Sequence, residues 1–415
     1  MSMKIAYLTG EYPRATDTFI QREVAGLREA GVMVETCSIR RTGPEHHVGE
    51  EQRQEAARTF HVLEAAKNPL RLAGAHLGWI ARRPGRWLRA LALAGRTAPG
   101  GLRAWLYHMI YFAEGGVLAR HMAREGVTHL HNHIAKSSCT VAMLASEISG
   151  IPYSFTLHGP DIFFEPIHWR LDEKIRRAVF VSCISEFCRS QAMAFSDTDQ
   201  WDKLHIVHCG VDPARYAPAP RARGHQVLFV GRLAAVKGLP VLFEALEHLR
   251  HETLSLAIIG DGPDRAALER MARDKGIDQQ VDFMGYRSQS EVAAMLAETD
   301  LLVLPSFAEG LPVVLMEALA AGVPVVTTQI AGIPELVEHG VNGYLCPPGD
   351  ELALAHAIEA VLDDPETAEA MGAEGRETVR HDFDSRIEAA RLAALFAAYS
   401  TPGAPRPPKR PEPLS

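Results

Sequence analysis

The chain has 415 residues, 47% of them hydrophobic and 23% charged, with a formal net charge of -8 at pH 7. That length exceeds one ordinary core and predicts two domains, while the acidic balance excludes bulk attraction to nucleic acid, so no nucleic-acid partner is expected. Six cysteines (Cys37, Cys139, Cys183, Cys188, Cys209, Cys346) lack metal-ligand spacing and read as buried thiols. No signal-peptide core and no run of ~20 apolar residues is present, which predicts a cytoplasmic, reducing location.

The chain opens as strand (Lys4 to Thr9), helix (Asp17 to Ala30) and strand (Val32 to Ser38), with Gly31 placed to end the helix. This is the start of a parallel sheet. Between Lys67 and Arg124, ten lysines or arginines accompany a single acid, Glu114, and the same stretch carries Trp79, Trp87, Trp105, Tyr107, Tyr111 and Phe112. Cationic heads beside aromatic bodies suit a bilayer interface, so residues 69–112 are a candidate peripheral membrane contact; the alternative is packed helices with a solvated basic face. Strands at Thr128 to His131, Tyr153 to Leu157, Val179 to Cys183 and Leu204 to Val207 complete a first domain over 1–212, with the basic insert at 67–124. The proline-rich stretch 213–225 reads as a linker.

A second α/β alternation fills 226–384, with strands at Gln226 to Val230, Leu254 to Ile259, Val281 to Met284, Leu301 to Leu304 and Val323 to Thr327. Both halves read as Rossmann-like, doubly wound α/β domains. The last helical pattern, 385–400, has no strand after it and must pack on something already built, so a crossover to the first domain is expected. Residues 401–415 carry too little apolar mass to repay their ordering and are expected to be disordered.

Two segments of the second half carry chemistry. Gly231 and Arg232 follow the strand QVLFV, and Lys237 and Gly238 precede a helix, so both cations lie at a strand's carboxyl end, where helix N-termini favour phosphate. A diphosphate suits that place; the alternative is a pair of solvated loop charges. The strand LLVL then leads through Glu309, Gly310, Leu311 and Pro312 into a helix containing Glu317. Carboxylates accept from vicinal hydroxyls, which suits Glu317 to a ribose and Glu309 to a hexose.

GRLAAVKG, GDGPDRAALE, PSFAEGLPVVLMEALAAGVPVV and AGIPELVEHGVNGYLCPPGD, in that order from Val227 to about Asp364, resemble glycosyltransferase family 4, of the GT-B fold. The resemblance implies two Rossmann-like domains facing a cleft and a retaining transferase that takes a hexose-type sugar from a nucleotide-diphosphate donor. Arg232 and Lys237 then hold the diphosphate, Glu309 and Glu317 bracket the donor, and Gly231, Gly310, Leu311 and Pro312 line it. The segment Thr156 to Asp161 resembles the family's histidine segment, which makes His158 the residue facing the donor sugar, with a loop-capping role as its alternative. The segments from Val181 to Glu186 and from His208 to Asp212 also resemble family elements and read as structural. No acidic nucleophile is placed to trap the sugar, so a front-face mechanism without a cofactor or metal is expected.

One departure stands in the first loop, where relatives carry a glycine pair and this chain reads Gly10 to Phe19 without one. The stretch DTFIQRE resembles a branch that acts in exopolysaccharide assembly, such as colanic-acid-type enzymes, and implies a glycan or polyprenyl-linked acceptor. Thr16, Asp17, Thr18, His131, His133 and Asp161 are the acceptor-side candidates; Thr16 or Asp17 as a plain helix cap is the alternative. His131 and His133 also invite a metal, but no further ligand has suitable spacing. Asp197 and Asp199 read as surface loop. The rival functions are a nucleotide-sugar epimerase of the same architecture and a non-catalytic sugar-nucleotide binding protein.

Overall fold

The computed structural model describes residues 3–410 except 15–16, 48, 160–162, 217–223, 252 and 402. The described chain forms two compact units, one built on Met1–His208 with Arg386–Glu412 and the other on Cys209–Ser385. The first holds seven parallel strands in the order β3-β2-β1-β4-β5-β6-β7. These are β1 (Lys4–Glu11), β2 (Met33–Arg40), β3 (Phe60–His61), β4 (His129–His133), β5 (Tyr153–Leu157), β6 (Val181–Cys183) and β7 (Leu204–Ile206). The second holds six in the order β10-β9-β8-β11-β12-β13, again all parallel. They are β8 (Gln226–Val230), β9 (Ser255–Ile259), β10 (Val281–Gly285), β11 (Leu301–Leu304), β12 (Val325–Thr328) and β13 (Gly343–Cys346). Helices cover both faces of such sheets, which is why central strands such as LLVL are buried at every position.

Strand order reverses between β1 and β4 in the first sheet and between β8 and β11 in the second. Ligands of open α/β sheets bind beyond the carboxyl ends of the strands at such reversals. Two expectations need correction. The second unit begins at Cys209 rather than after a boundary at Asp212, because Val211 pairs with Asp384: its N–H donates to the Phe383 carbonyl at 2.9 Å. The described part of the tail is not free, because the edge strand β7 offers an unpaired amide, and the Ile206 N–H donates to the Lys409 carbonyl at 2.9 Å. Arg406 also lies over the Tyr399 ring at 5.1 Å.

The helix Ser385–Ser400 belongs to the first unit from Arg386 onward. Its Leu392, Leu395 and Phe396 enter one core with Ile5, Tyr7, Ile20, Val24 and Phe180. Against this core lies an unusual strand, β4, whose sequence HLHNH is fully buried. By the two-residue period of a strand His129, His131 and His133 share one face, and hydroxyls of β5 bond two of them. Ser154 Oγ lies 2.7 Å from both His129 Nε2 and His131 Nδ1, and Thr156 Oγ1 lies 2.9 Å from His131 Nε2. Burial pushes His129 down to about 3 and His131 well below the usual imidazole range, so both are neutral in the fold.

The unfolded chain therefore takes up protons on these rings first as pH falls. Their contribution is complete above pH 6.5, the ordinary imidazole value, and is lost below it. At about pH 5.5 the cost is about 1.4 kcal/mol for each ring. Urea unfolding followed at neutral pH and at that acidic pH should register the fall, and equal stability at the two would contradict neutral burial.

Candidate active site

In the second unit, β8 ends at Val230 and the chain turns through Gly231, Arg232 and Leu233 into a short turn, Ala235–Lys237, and the helix Leu239–His248. The GDGP segment clamps this turn from the side. Leu233 donates its N–H to the Asp261 carbonyl at 3.0 Å, and the Asp264 N–H donates to the Leu233 carbonyl at 3.1 Å. The approach is so close that a Cβ on Gly262 would sit 2.2 Å from the Leu233 oxygen, and one on Gly260 1.9 Å from the Gly231 oxygen. Both glycines thus serve the loop that presents Arg232. Arg232 itself is exposed, and its guanidinium makes no ion pair or hydrogen bond among the described residues.

Lys237 is held from the neighbouring strand. Phe307 donates its N–H to the Val236 carbonyl at 2.8 Å, and Lys237 Nζ meets Glu309 Oε1 at 2.5 Å. The same carboxylate oxygen accepts from Ser306 Oγ at 2.7 Å, and the Ser306 carbonyl accepts from Thr328 Oγ1 at 2.6 Å. Glu309 is only 9% exposed, so the carboxylate end of this ion pair is shielded from solvent and held by two donors. Gly310 and Leu311 follow it, and no described residue accepts from either backbone N–H. Pro312 then caps the helix Val313–Ala320, in which Glu317 is buried to the same degree as Glu309. The structure so gathers Arg232, Lys237, Glu309 and the amides after it where strand order reverses between β8 and β11.

A second cluster lies at the corresponding reversal of the first sheet. His133 Nδ1 is 2.8 Å from His158 Nε2, while His133 Nε2 is 2.9 Å from Glu23 Oε1 and 2.6 Å from Tyr7 Oη. His133 thus bridges a carboxylate, a phenol and a second imidazole, and the proton order along this chain of bonds follows the tautomers of its two rings. Burial holds His158 well below the usual imidazole range, with His133 adding to the effect. Phe19, one turn before Glu23 on the helix Thr18–Glu29, lies 5.0 Å from the His158 ring, so one helix face covers the whole chain of groups.

Glu23 was not anticipated, although it closes the DTFIQRE stretch; its pairing with His133 spans 110 residues and no local spacing announces it. With His131 and His133 it completes a set of three metal-type ligands whose atoms lie within 4.8 Å of one another, a third candidate that spacing along the sequence does not reveal. Each ring nitrogen of both histidines already has a hydrogen-bonding partner, however, and the set works as a network. His131 is fully buried beside Phe180 and Phe396, which removes it from any acceptor-lining role. Asp17 sits at the helix cap position without a capping bond from its side chain, 3.8 Å from Arg14 Nε, and Thr18 begins the helix. Thr16 and Asp161 lie outside the described residues. Asp197 and Asp199 are exposed.

Two family models divide the chain between them: "Glycosyltransferase Family 4" matches residues 18–215 and "Glycosyl transferases group 1" matches 215–378. The chain is a family 4 glycosyltransferase. This glycosyltransferase is 27% identical to the putative colanic acid biosynthesis glycosyltransferase WcaL of Escherichia coli, over 95% of this chain and 100% of that one. It is 26% identical to the amylovoran biosynthesis glycosyltransferase AmsK of Erwinia amylovora, over 95% and 99%. Its fold resembles sucrose-phosphate synthase from Thermosynechococcus elongatus, with a TM-score of 0.73 and 20% identity over 95% of this chain and 98% of that one. It also resembles Anabaena HepE in complex with UDP-glucose, with a TM-score of 0.72 and 20% identity over 95% and 99%.

Glycine at 238 is a steric requirement of the glycosyltransferase's charged site. Its φ is +68° and an added Cβ would stand 2.0 Å from the Pro305 oxygen, whereas a Cβ on Gly10 meets nothing within 4 Å. Gly238→Ala is expected to cost about 2 kcal/mol or more, and Gly10→Ala under about 1 kcal/mol. Thermal melts of the two variants check this; equal melting temperatures would contradict the close approach.

Proposed function

We propose that this glycosyltransferase moves a hexose-type sugar, with retention of anomeric configuration, from a nucleotide-diphosphate donor to a glycan or lipid-linked acceptor in exopolysaccharide assembly. The observation that carries the donor reading is the pairing of half-buried Lys237 with buried Glu309, next to an Arg232 that has no partner among the described residues. A diphosphate supplies the anion that Arg232 lacks among the described residues, and the amides of Gly310 and Leu311 add donors of the kind that bind phosphate or sugar oxygens. The Anabaena relative in fold is bound to UDP-glucose, and the two relatives matched over their full length are named for colanic acid and amylovoran biosynthesis, which supports the pathway reading.

In the proposed reaction the bond from the anomeric carbon to the diphosphate oxygen breaks while the acceptor hydroxyl oxygen bonds to the same face of that carbon. The acceptor proton leaves with the departing phosphate oxygen. Arg232 and Lys237 stabilise the charge that grows on the diphosphate, and Glu309 and Glu317 hold sugar and ribose hydroxyls. His158, neutral and fixed through His133 and Glu23, orients the sugar. No metal is required in this scheme.

Incubation with UDP-, GDP- and ADP-sugars provides the test. Nucleotide release unaffected by a chelator is expected with one donor, and an α-linked product from an α-linked donor. Isomerised donor without nucleotide release, or no turnover with any donor and acceptor, would sink the proposal. Glu309→Gln and Arg232→Ala should each lower kcat by about 100-fold or more with the fold intact. A loss under threefold for both would remove the charged site from the mechanism.

A further inference from the structure

We infer that the outer face of the basic insert in the first unit docks on an anionic bilayer surface. The insert folds as three helices, Pro69–Arg82, Pro84–Thr97 and Leu102–Glu125. On the first, Leu70, Leu77 and Ile80 are 83%, 64% and 39% exposed, and their spacing of seven and three residues aligns them along one stripe. On the third, Leu102, Leu106 and Ile110 repeat every four residues, are about half exposed or more, and are joined by Trp105. The two helices run antiparallel: His76 Nε2 bonds the Ala113 carbonyl at 3.1 Å, while a Cβ on Gly74 would meet Arg120. One turn beyond His76 stands Ile80 and one turn before Ala113 stands Met109, so the Leu77–Ile80 end of the first stripe lies level with the Leu106–Ile110 end of the second.

The structure also changes which residues of the insert serve this face. Trp79 and Phe112 point inward, and Trp87 donates to His76 Nδ1 at 3.0 Å, so these aromatics build the insert's own core. Arg83, Arg86, Arg89 and Arg96 are bound to carbonyls or carboxylates of the same unit. Arg71, Arg82 and Arg103 are left exposed without an acidic partner among the described residues, on the same two helices as the leucine stripes. No acidic residue occurs between Glu64 and Glu114, in a chain whose net charge is -8.

Charge decides the occupant. A second copy on this face would set arginines against arginines with no carboxylate in the patch to pair them. A layer of anionic headgroups over acyl chains meets both features, arginines at the headgroups and leucines below. No helix among the described residues is long and apolar enough to cross a membrane, so the contact is with the surface.

Sedimentation with phosphatidylcholine vesicles, with and without phosphatidylglycerol, tests this. The full chain should bind the anionic vesicles at low salt, release at high salt, and shift its tryptophan emission to the blue on binding. The double variant Leu77→Glu, Leu106→Glu, at exposed positions, should keep its melting temperature and lose binding at least tenfold. Arg71→Ala, Arg82→Ala and Arg103→Ala should each weaken binding about fivefold. No binding to anionic vesicles, or binding that survives the double variant, overturns the inference. So does self-association that the double variant abolishes, which would give the face to a second copy.

Discussion

Both faces of a parallel sheet are covered by helices, and that constraint governs where this glycosyltransferase can keep charge. Polar side chains can escape burial only at the sheet's ends, and the reversal of strand order leaves the one carboxyl edge where two loops diverge. In the second unit the edge holds Arg232, Lys237 and Glu309, and everything nearby is shaped to let backbone approach backbone. Gly238, Gly260 and Gly262 occupy points where a methyl group would overlap a carbonyl oxygen. The motif residues that carry no functional group are thus the ones that set the position of those that do.

The equivalent edge of the first unit is built from a different material. It has neutral rings and hydroxyls in place of fixed charges, because β4 sends its histidines into a core closed by Phe180 and Phe396. Desolvation removes the proton that would make His129 and His131 cations, and Ser154 and Thr156 bond three of their four ring nitrogens. Only at the end of the strand does a carboxylate, Glu23, enter the chain of bonds.

Much of this was legible in the sequence for physical reasons. Strands such as QVLFV and LLVL are continuous apolar runs bounded by glycine or proline, and they appear within the bounds assigned to them. The two strands that were not anticipated, Phe60–His61 and Gly343–Cys346, are short edge strands whose pairing comes from a neighbour and not from their own pattern. The sequence placed Lys237 and Glu309 at two strand ends, whereas their pairing with each other emerged only from the fold. The Glu23–His133–His158 chain could not be expected either, since three separate elements supply it. Composition identified the basic insert, but only the fold sorted its aromatics into inner and outer, sending Trp79 inside and Trp105 out.

The return of the last helix to the first unit has a consequence for biogenesis. Leu392, Leu395 and Phe396 complete the core that Ile5, Tyr7 and Ile20 begin. A nascent chain that has emitted its whole first unit through His208 still lacks part of that core, and the buried face carrying the histidine rings stays open. The N-terminal half therefore matures last although it is made first, and a ribosome stalled anywhere in the second unit presents an unfinished hydrophobic face to chaperones.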